Sequence, residues 1–355
     1  MAAGGLAGAL LLATAAVGLT SGCSTLAYYA QAANGHLTLL SQARPVSEVL
    51  TDTATPAALR SRLALSQRIR DFASSELGLP ANNSYRRFAD LRREAVVWNV
   101  VAAPALSLTL KTWCFPVMGC VGYRGYFSRD AATQLADELR GAGWEVGVYP
   151  VPAYSTLGWS AMAGGDPLLS TFINWPEGDL ARLIFHELAH QVAYANNDTT
   201  FNESFAVAVE RLGGERWLAR FGSPAVREQN EALESRRRDF RAFTQRWRTE
   251  LETLYASDAG DDVKLRRKAE LMAAVRADFA QMKAERWGGF TGYDAWLARA
   301  NNASFGVLAA YNELVPQFEA LFQRQGGDFA RFYAEVEALA ALPKDQRRAK
   351  LAAPH

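Results

Sequence analysis

Residues 183–191 read LIFHELAHQ, an H-E-x-x-H set inside an otherwise apolar stretch, and no other segment restricts this chain so strongly. At helical period His186 and His190 project from one face, a turn apart, as two ligands of a tetrahedral zinc ion must. Glu187 stands beside them, placed to take a proton from water at the metal. Leu183, Ile184, Phe185, Leu188, Ala189 and Val192 surround the motif, so the helix is expected in the interior. Ionisable groups there need partners, because unpaired burial is costly. A surface helix with an accidental histidine pair is the plainer reading. Composition opposes it, since two of only four histidines fall in this one turn.

A catalytic zinc site takes three protein ligands and keeps a fourth position open. The other histidines, His36 and His355, lie towards the two ends of the chain, so a carboxylate is expected as the third ligand. Glu203 is the first choice: it lies in FNESFAVAVE (201–210) beyond the loop ANNDTT and opens a helix expected over 203–221, whose antiparallel course returns it to the metal. Asp198 and Glu210 are the alternative ligands. Glu210 lies seven residues beyond Glu203 on much the same face, and its main expected role is to hold the second ring nitrogen of a histidine. The competing role for Glu203 is that of a first-turn glutamate favouring the helix dipole.

HELAH followed by NESFA is similar to the gluzincin metallopeptidases, whose third ligand is a glutamate. With the Gly22-Cys23 start, TWCFPVMGCVGYRGYF, AYSTLGW and DPLLSTF, the chain from about residue 23 to 320 resembles the bacterial zinc aminopeptidase family, which includes many lipoproteins. The resemblance implies one Zn2+ per chain held by His186, His190 and Glu203. It also implies Glu187 as general base and a peptide as substrate. In one respect the chain departs from the better-known gluzincins: only twelve residues separate His190 from Glu203, so the turn between the two helices must be tight. Zincin folds place an edge strand above the metal, where a peptide adds as a further strand. VPAYSTLGWS (151–160) is the candidate for it, with Tyr154 or Tyr194 steadying the oxyanion. No residue pattern separates exopeptidase from endopeptidase action. The alternative function is a non-catalytic, zinc-containing envelope lipoprotein that binds partners or acts as a scaffold.

The remaining pattern is that of an α+β protein: a zincin-like core with a small mixed sheet, the active-site helix and a large helical portion. EAVVWNVVAAPALSLTLKTW (94–113) reads as two strands broken at Pro104, and 129–142 as a helix opened by Ser128. Residues 144–158 read as an edge strand, because Pro150 and Pro152 cannot donate to a ladder. Residues 46–93 have helical period, and 224–286 a helical hairpin broken at SDAGDD, whose Arg236-Arg237-Arg238 cluster reads as a solvated face. The expected organisation is a signal peptide (1–22), a lipid-anchored tether (23–45), the catalytic core (46–222), the hairpin (223–290) and C-terminal helices (291–355).

Residues 2–20 carry no charge and end at Ser21-Gly22-Cys23, which resembles a lipoprotein signal with lipidation at Cys23. That places the protein on the periplasmic side of the envelope, anchored to the membrane. Cys114 and Cys120 bracket a segment containing Pro116 and Gly119, and are expected to form a disulfide in that oxidising space. A net charge of +1 leaves no electrostatic footprint for nucleic acid.

Overall fold

The computed structural model describes residues 27–115, 119–153 and 165–353. The expected signal peptide, the lipidation site Cys23 and Tyr154 lie outside them. No helix among the described residues is long and apolar enough to cross a membrane.

The chain enters through a helix at 27–42 (α1), then β1 (Arg44–Pro45), α2 (Val46–Thr51) and α3 (Ala57–Ser75). Leu39 and Ala43 are buried in the main core, so the end of α1 and the residue just after it pack onto the body. The helical period expected across 46–93 ends at α3: beyond it lie irregular chain and β2 (Arg87–Ala89), which pairs antiparallel with β1. Arg70, fully buried, donates to the carbonyls of Pro80, Asn82 and Ser84, and so holds that irregular stretch against α3.

β3 (Val97–Ala103) is the centre of a small antiparallel sheet. The second strand expected within 94–113 does not continue from it: residues 104–112 are turn and loop, and β4 (Trp113–Phe115) forms a separate hairpin with β5 (Gly119–Val121). Cys114 and Cys120 face each other across that hairpin and are joined by a disulfide. β6 (Arg124–Tyr126) and β7 (Glu145–Val151) flank β3, with α4 (Arg129–Gly141) between them in sequence, capped by the Ser128 hydroxyl. Among the described residues β7 bonds to β3 alone, an edge position that suits Pro150 within it. A two-residue β8 (Leu168–Leu169) runs parallel to β2. The sheets are therefore small and mixed in direction.

Alternation along β3 distributes its side chains between two layers. Val100 and Ala102 pack with Val146 of β7 against Ala132, Ala136 and Leu139 of α4. Asn99, Val101 and Ala103 belong to the opposite face, where Val101 and Ala103 pack with Tyr123, Tyr149 and a helix from the distant C-terminal part.

The main core is helical. α5 (Glu177–Ala189) and α6 (Thr199–Phe221) pack against each other and against α3. Gly213 and Gly214 of α6 permit the close approach, since a Cβ at either would strike Phe185 or Arg182 of α5 at under 3 Å. Next come the hairpin helices α7 (Pro224–Ala256) and α8 (Asp261–Arg286), followed by α9 (Asp294–Ala298) and α10 (Asn302–Asn312). Phe240, Phe243, Leu251, Met272, Val275 and Phe279 give the hairpin its own apolar cluster, which Trp287 and Phe305 of α10 complete. α11 (Val315–Arg324), α12 (Phe329–Ala340) and α13 (Lys344–Ala352) return to the main core, through Phe318, Phe332 and Leu351 among others.

Candidate metal centre

α5 and α6 are consecutive helices joined by a turn at 190–198, and the antiparallel return brings four functional side chains together. The turn is tight, as the short spacing demands. Asn202 closes it by accepting from the Ala195 amide at 2.7 Å and donating to the Ala195 carbonyl at 2.9 Å. Asn197 adopts a left-handed φ of 62° within it, and its side-chain oxygen accepts from the Cys120 amide at 2.7 Å. The disulfide hairpin thus braces the turn. Asp198 caps α6 through the Phe201 amide and is gripped by Arg347 at 2.7 Å and Arg348 at 2.6 Å. It is committed to that ion pair and does not face the histidines.

The cap also moves the start of α6 to Thr199, four residues ahead of the position expected from Glu203. Glu203 is therefore in the second turn, where the helix dipole gives it little. It points instead at the histidines. The Nε2 atoms of His186 and His190 are 3.2 Å apart, and Glu203 Oε2 lies 3.4 Å from the first and 3.6 Å from the second. A tetrahedral ion bound at about 2.0–2.1 Å needs ligand atoms about 3.3–3.4 Å apart, so the triangle matches one tetrahedral face. His186, His190 and Glu203 could hold a metal ion, and all three are buried.

Glu210 lies behind that triangle, its Oε2 at 2.8 Å from Nδ1 of His186. The carboxylate accepts from Nδ1–H, which orients the ring so that Nε2 is turned towards the centre, the nitrogen that would hold a cation once its proton is given up. Burial disfavours ionisation of Glu203, but the charge on His190 and the hydrogen bonds to both imidazoles outweigh it and hold its carboxyl at about 2. Burial likewise disfavours the His186 imidazolium, yet hydrogen bonds to Glu203 and Glu210 and the charges of Glu210 and Glu187 raise its pKa well above the ordinary value. Three carboxylates facing two imidazoles leave the site short of positive charge, which is what a divalent cation supplies.

Glu187 lines, with His186, a cavity of about 390 Å³. Burial raises its pKa, as does the charge of Glu203, against the opposing charges of His186 and His190. A carboxyl so placed is a better proton acceptor than an exposed one. Tyr149 of β7 and Tyr311 of α10 line the same cavity. Burial, with the charge of Glu203, pushes Tyr149 up to about 12 and Tyr311 well above its ordinary value, so both phenols remain protonated donors. Tyr194 also feels Glu203, but it lines a different hollow, formed with the 192–197 turn and α12.

Tyr149 and Tyr311 were not legible as site residues. Tyr149 could have been placed by the period-2 alternation of β7; Tyr311, over a hundred residues beyond the motif, carries no local signal. The hairpin also enters the site. Arg237 of α7 is held by Asp179 of α5 at 2.8 Å and by Glu234 at 2.6 Å, and Glu234 bonds to Arg182. Of the Arg236–Arg238 cluster only Arg238 is exposed: Arg236 lies over the Phe290 ring at 4.7 Å, and Arg237 is the residue whose face meets α5.

The family model described as "Putative aminopeptidase" matches residues 27–351. The chain belongs to this family. The match spans α1 to α13, and so includes the hairpin and the C-terminal helices as well as the HELAH helix. No curated protein and no solved structure matches the chain.

Proposed function

We propose that this member of the aminopeptidase family is a zinc-dependent peptidase of zincin-like design, working on peptides at the periplasmic face of the cell envelope and anchored there by lipid on Cys23. The observation that carries the reading is the triangle of His186 Nε2, His190 Nε2 and Glu203 Oε2 with Glu187 beside it on the cavity wall. Two imidazoles and one carboxylate suit zinc better than the harder cations, which prefer oxygen alone. Zinc held there supplies a Lewis acid for a peptide carbonyl and lowers the pKa of water.

The chain's own residues do the rest. Glu187 accepts the proton of the attacking water and delivers it to the amine nitrogen as the C–N bond breaks. Tyr149 and Tyr311 donate to the carbonyl oxygen as negative charge builds on it. The outer edge of β7 has no strand beside it among the described residues, and it offers backbone groups to an extended substrate, the role expected of 151–160. Residues Tyr149–Ala153 form that side of the cavity. A purely structural zinc site has no use for a base on the cavity wall, which disfavours the scaffold alternative.

The test is metal analysis of the purified protein together with hydrolysis of a peptide library, before and after Glu187→Gln. Both forms should carry one zinc per chain, and the variant should lose about 10²–10⁴-fold in rate. A zinc-loaded wild type that cleaves no peptide would overturn the reading.

A further inference from the structure

Four arginines line the cavity that contains His186 and Glu187: Arg182, Arg211, Arg237 and Arg241. Three are matched. Arg182 pairs with Glu234, Arg237 with Glu234 and Asp179, and Arg211 with Glu319 at 3.1 Å. Arg241, on α7, has no carboxylate within ion-pair distance among the described residues, and residues 154–164 contain none. It is only partly exposed, and burial and the neighbouring charge of Arg211 both act against its protonated form. A guanidinium nevertheless stays charged in a protein, and a half-buried one without a counter-ion is unfavourable. The charge of Glu234 favours it from a distance, but that carboxylate already pairs with Arg182 and Arg237, and Glu203 and Glu210 are turned to the histidines.

We infer that Arg241 receives a carboxylate of the substrate, so that the enzyme acts on short peptides bearing a negative group at the hairpin end of the cavity. A carboxylate matches the guanidinium fork with two parallel hydrogen bonds. The volume, about 390 Å³, is at the small end of ligand pockets and suits a short peptide. The carboxylate comes from a free C-terminus or from an acidic side chain. In either case the α7–α8 hairpin sets specificity, since it carries the receptor. The inference rests on the peptidase reading for the identity of the ligand.

The experiment measures binding by calorimetry in the full-length, zinc-loaded Glu187→Gln protein, which removes turnover, with Arg241 kept or replaced. Three N-acetylated tripeptides serve as probes: alanyl with a free C-terminus, the same as C-terminal amide, and an amide carrying one glutamate. With Arg241 present, the free acid should bind at least tenfold tighter than the alanyl amide. Arg241→Gln should reduce that preference to within twofold, and Arg241→Lys should keep part of it. If the glutamyl amide binds like the free acid and loses its advantage in Arg241→Gln, the inference holds with a side chain as the source. Equal binding of all three probes, a preference that survives Arg241→Gln, or no binding of any probe overturns it. Arg241-dependent binding without cleavage by the wild type sinks the peptidase reading alone. Cleavage indifferent to carboxylates sinks this inference alone.

Discussion

Removing Glu210 should weaken the metal without touching a ligand. Its Oε2 is 2.8 Å from His186 Nδ1, and no other side-chain acceptor among the described residues holds that nitrogen. In Glu210→Ala the imidazole loses both its tautomer preference and its orientation, and Nε2–H competes with the bare Nε2 that faces His190 and Glu203. Losses of partners of this kind cost about 10–100-fold in metal affinity. The Glu210 side chain is 26% exposed, so water replaces part of the lost bond and the effect should fall nearer tenfold, about 1.4 kcal/mol. Glu210→Gln keeps an acceptor oxygen but not the charge, and should lose only about threefold. Zinc competition against a chelator of known affinity, at fixed pH and ionic strength, reads both values. Glu210→Ala binding zinc as tightly as wild type would refute the tautomer argument and with it the claim that His186 is set from behind.

Tyr311→Phe and Tyr149→Phe should each lower kcat with KM little changed, the more important donor by about 10²-fold, since a donor to developing charge acts only in the transition state; equal rates in both variants would remove the phenols from the mechanism. Asp198→Asn should destabilise the protein by about 3–5 kcal/mol in denaturant titration, because it leaves Arg347, 4% exposed, without its counter-charge. Burial opposes ionisation of Asp198, but hydrogen bonds and charge from Arg348 and Arg347 outweigh it and depress its pKa. A depressed carboxyl stabilises above its unfolded pKa, about 3.9, and that stability is lost as pH falls through the lower folded value. Wild type should therefore lose stability relative to Asp198→Asn as the pH is taken below about 4, and parallel curves for the two would count against the pairing. Cys114→Ser with Cys120→Ser should lower stability by about 2 kcal/mol, the loop-closure value for a short loop, and should loosen the 190–198 turn through Asn197.

What was legible in the sequence was local. An H-E-x-x-H in an apolar helix, a carboxylate one short turn later and a second one two helical turns beyond are all encoded within 25 residues, and the fold closes them on one another because Asn202 and Asp198 fix the turn. The hairpin period, the Ser128 cap and the edge position of β7 were equally local. Two of the misplacements depended on a partner far along the chain, and a third on a side chain reaching over an irregular stretch nearby. Asp198 looked like a ligand until Arg347 and Arg348, 149 and 150 residues on, claimed it. Arg237 looked solvated until α7 came to rest on Asp179 of α5. The α3 period was over-extended because Arg70 satisfies the carbonyls of an irregular stretch that no propensity rule anticipates.

The same logic separates chemistry from selectivity in this molecule. The groups assigned to bond cleavage, other than the tyrosines, sit on two consecutive helices and can be found from spacing alone. The group assigned to choosing which peptide enters, Arg241, comes with Arg237 from the hairpin, whose own apolar cluster holds it together independently of α5 and α6. Ion pairs attach it to α5, through Glu234, Arg182, Arg237 and Asp179. Changes within the hairpin can therefore alter what the cavity accepts while leaving the three metal-facing atoms where they are.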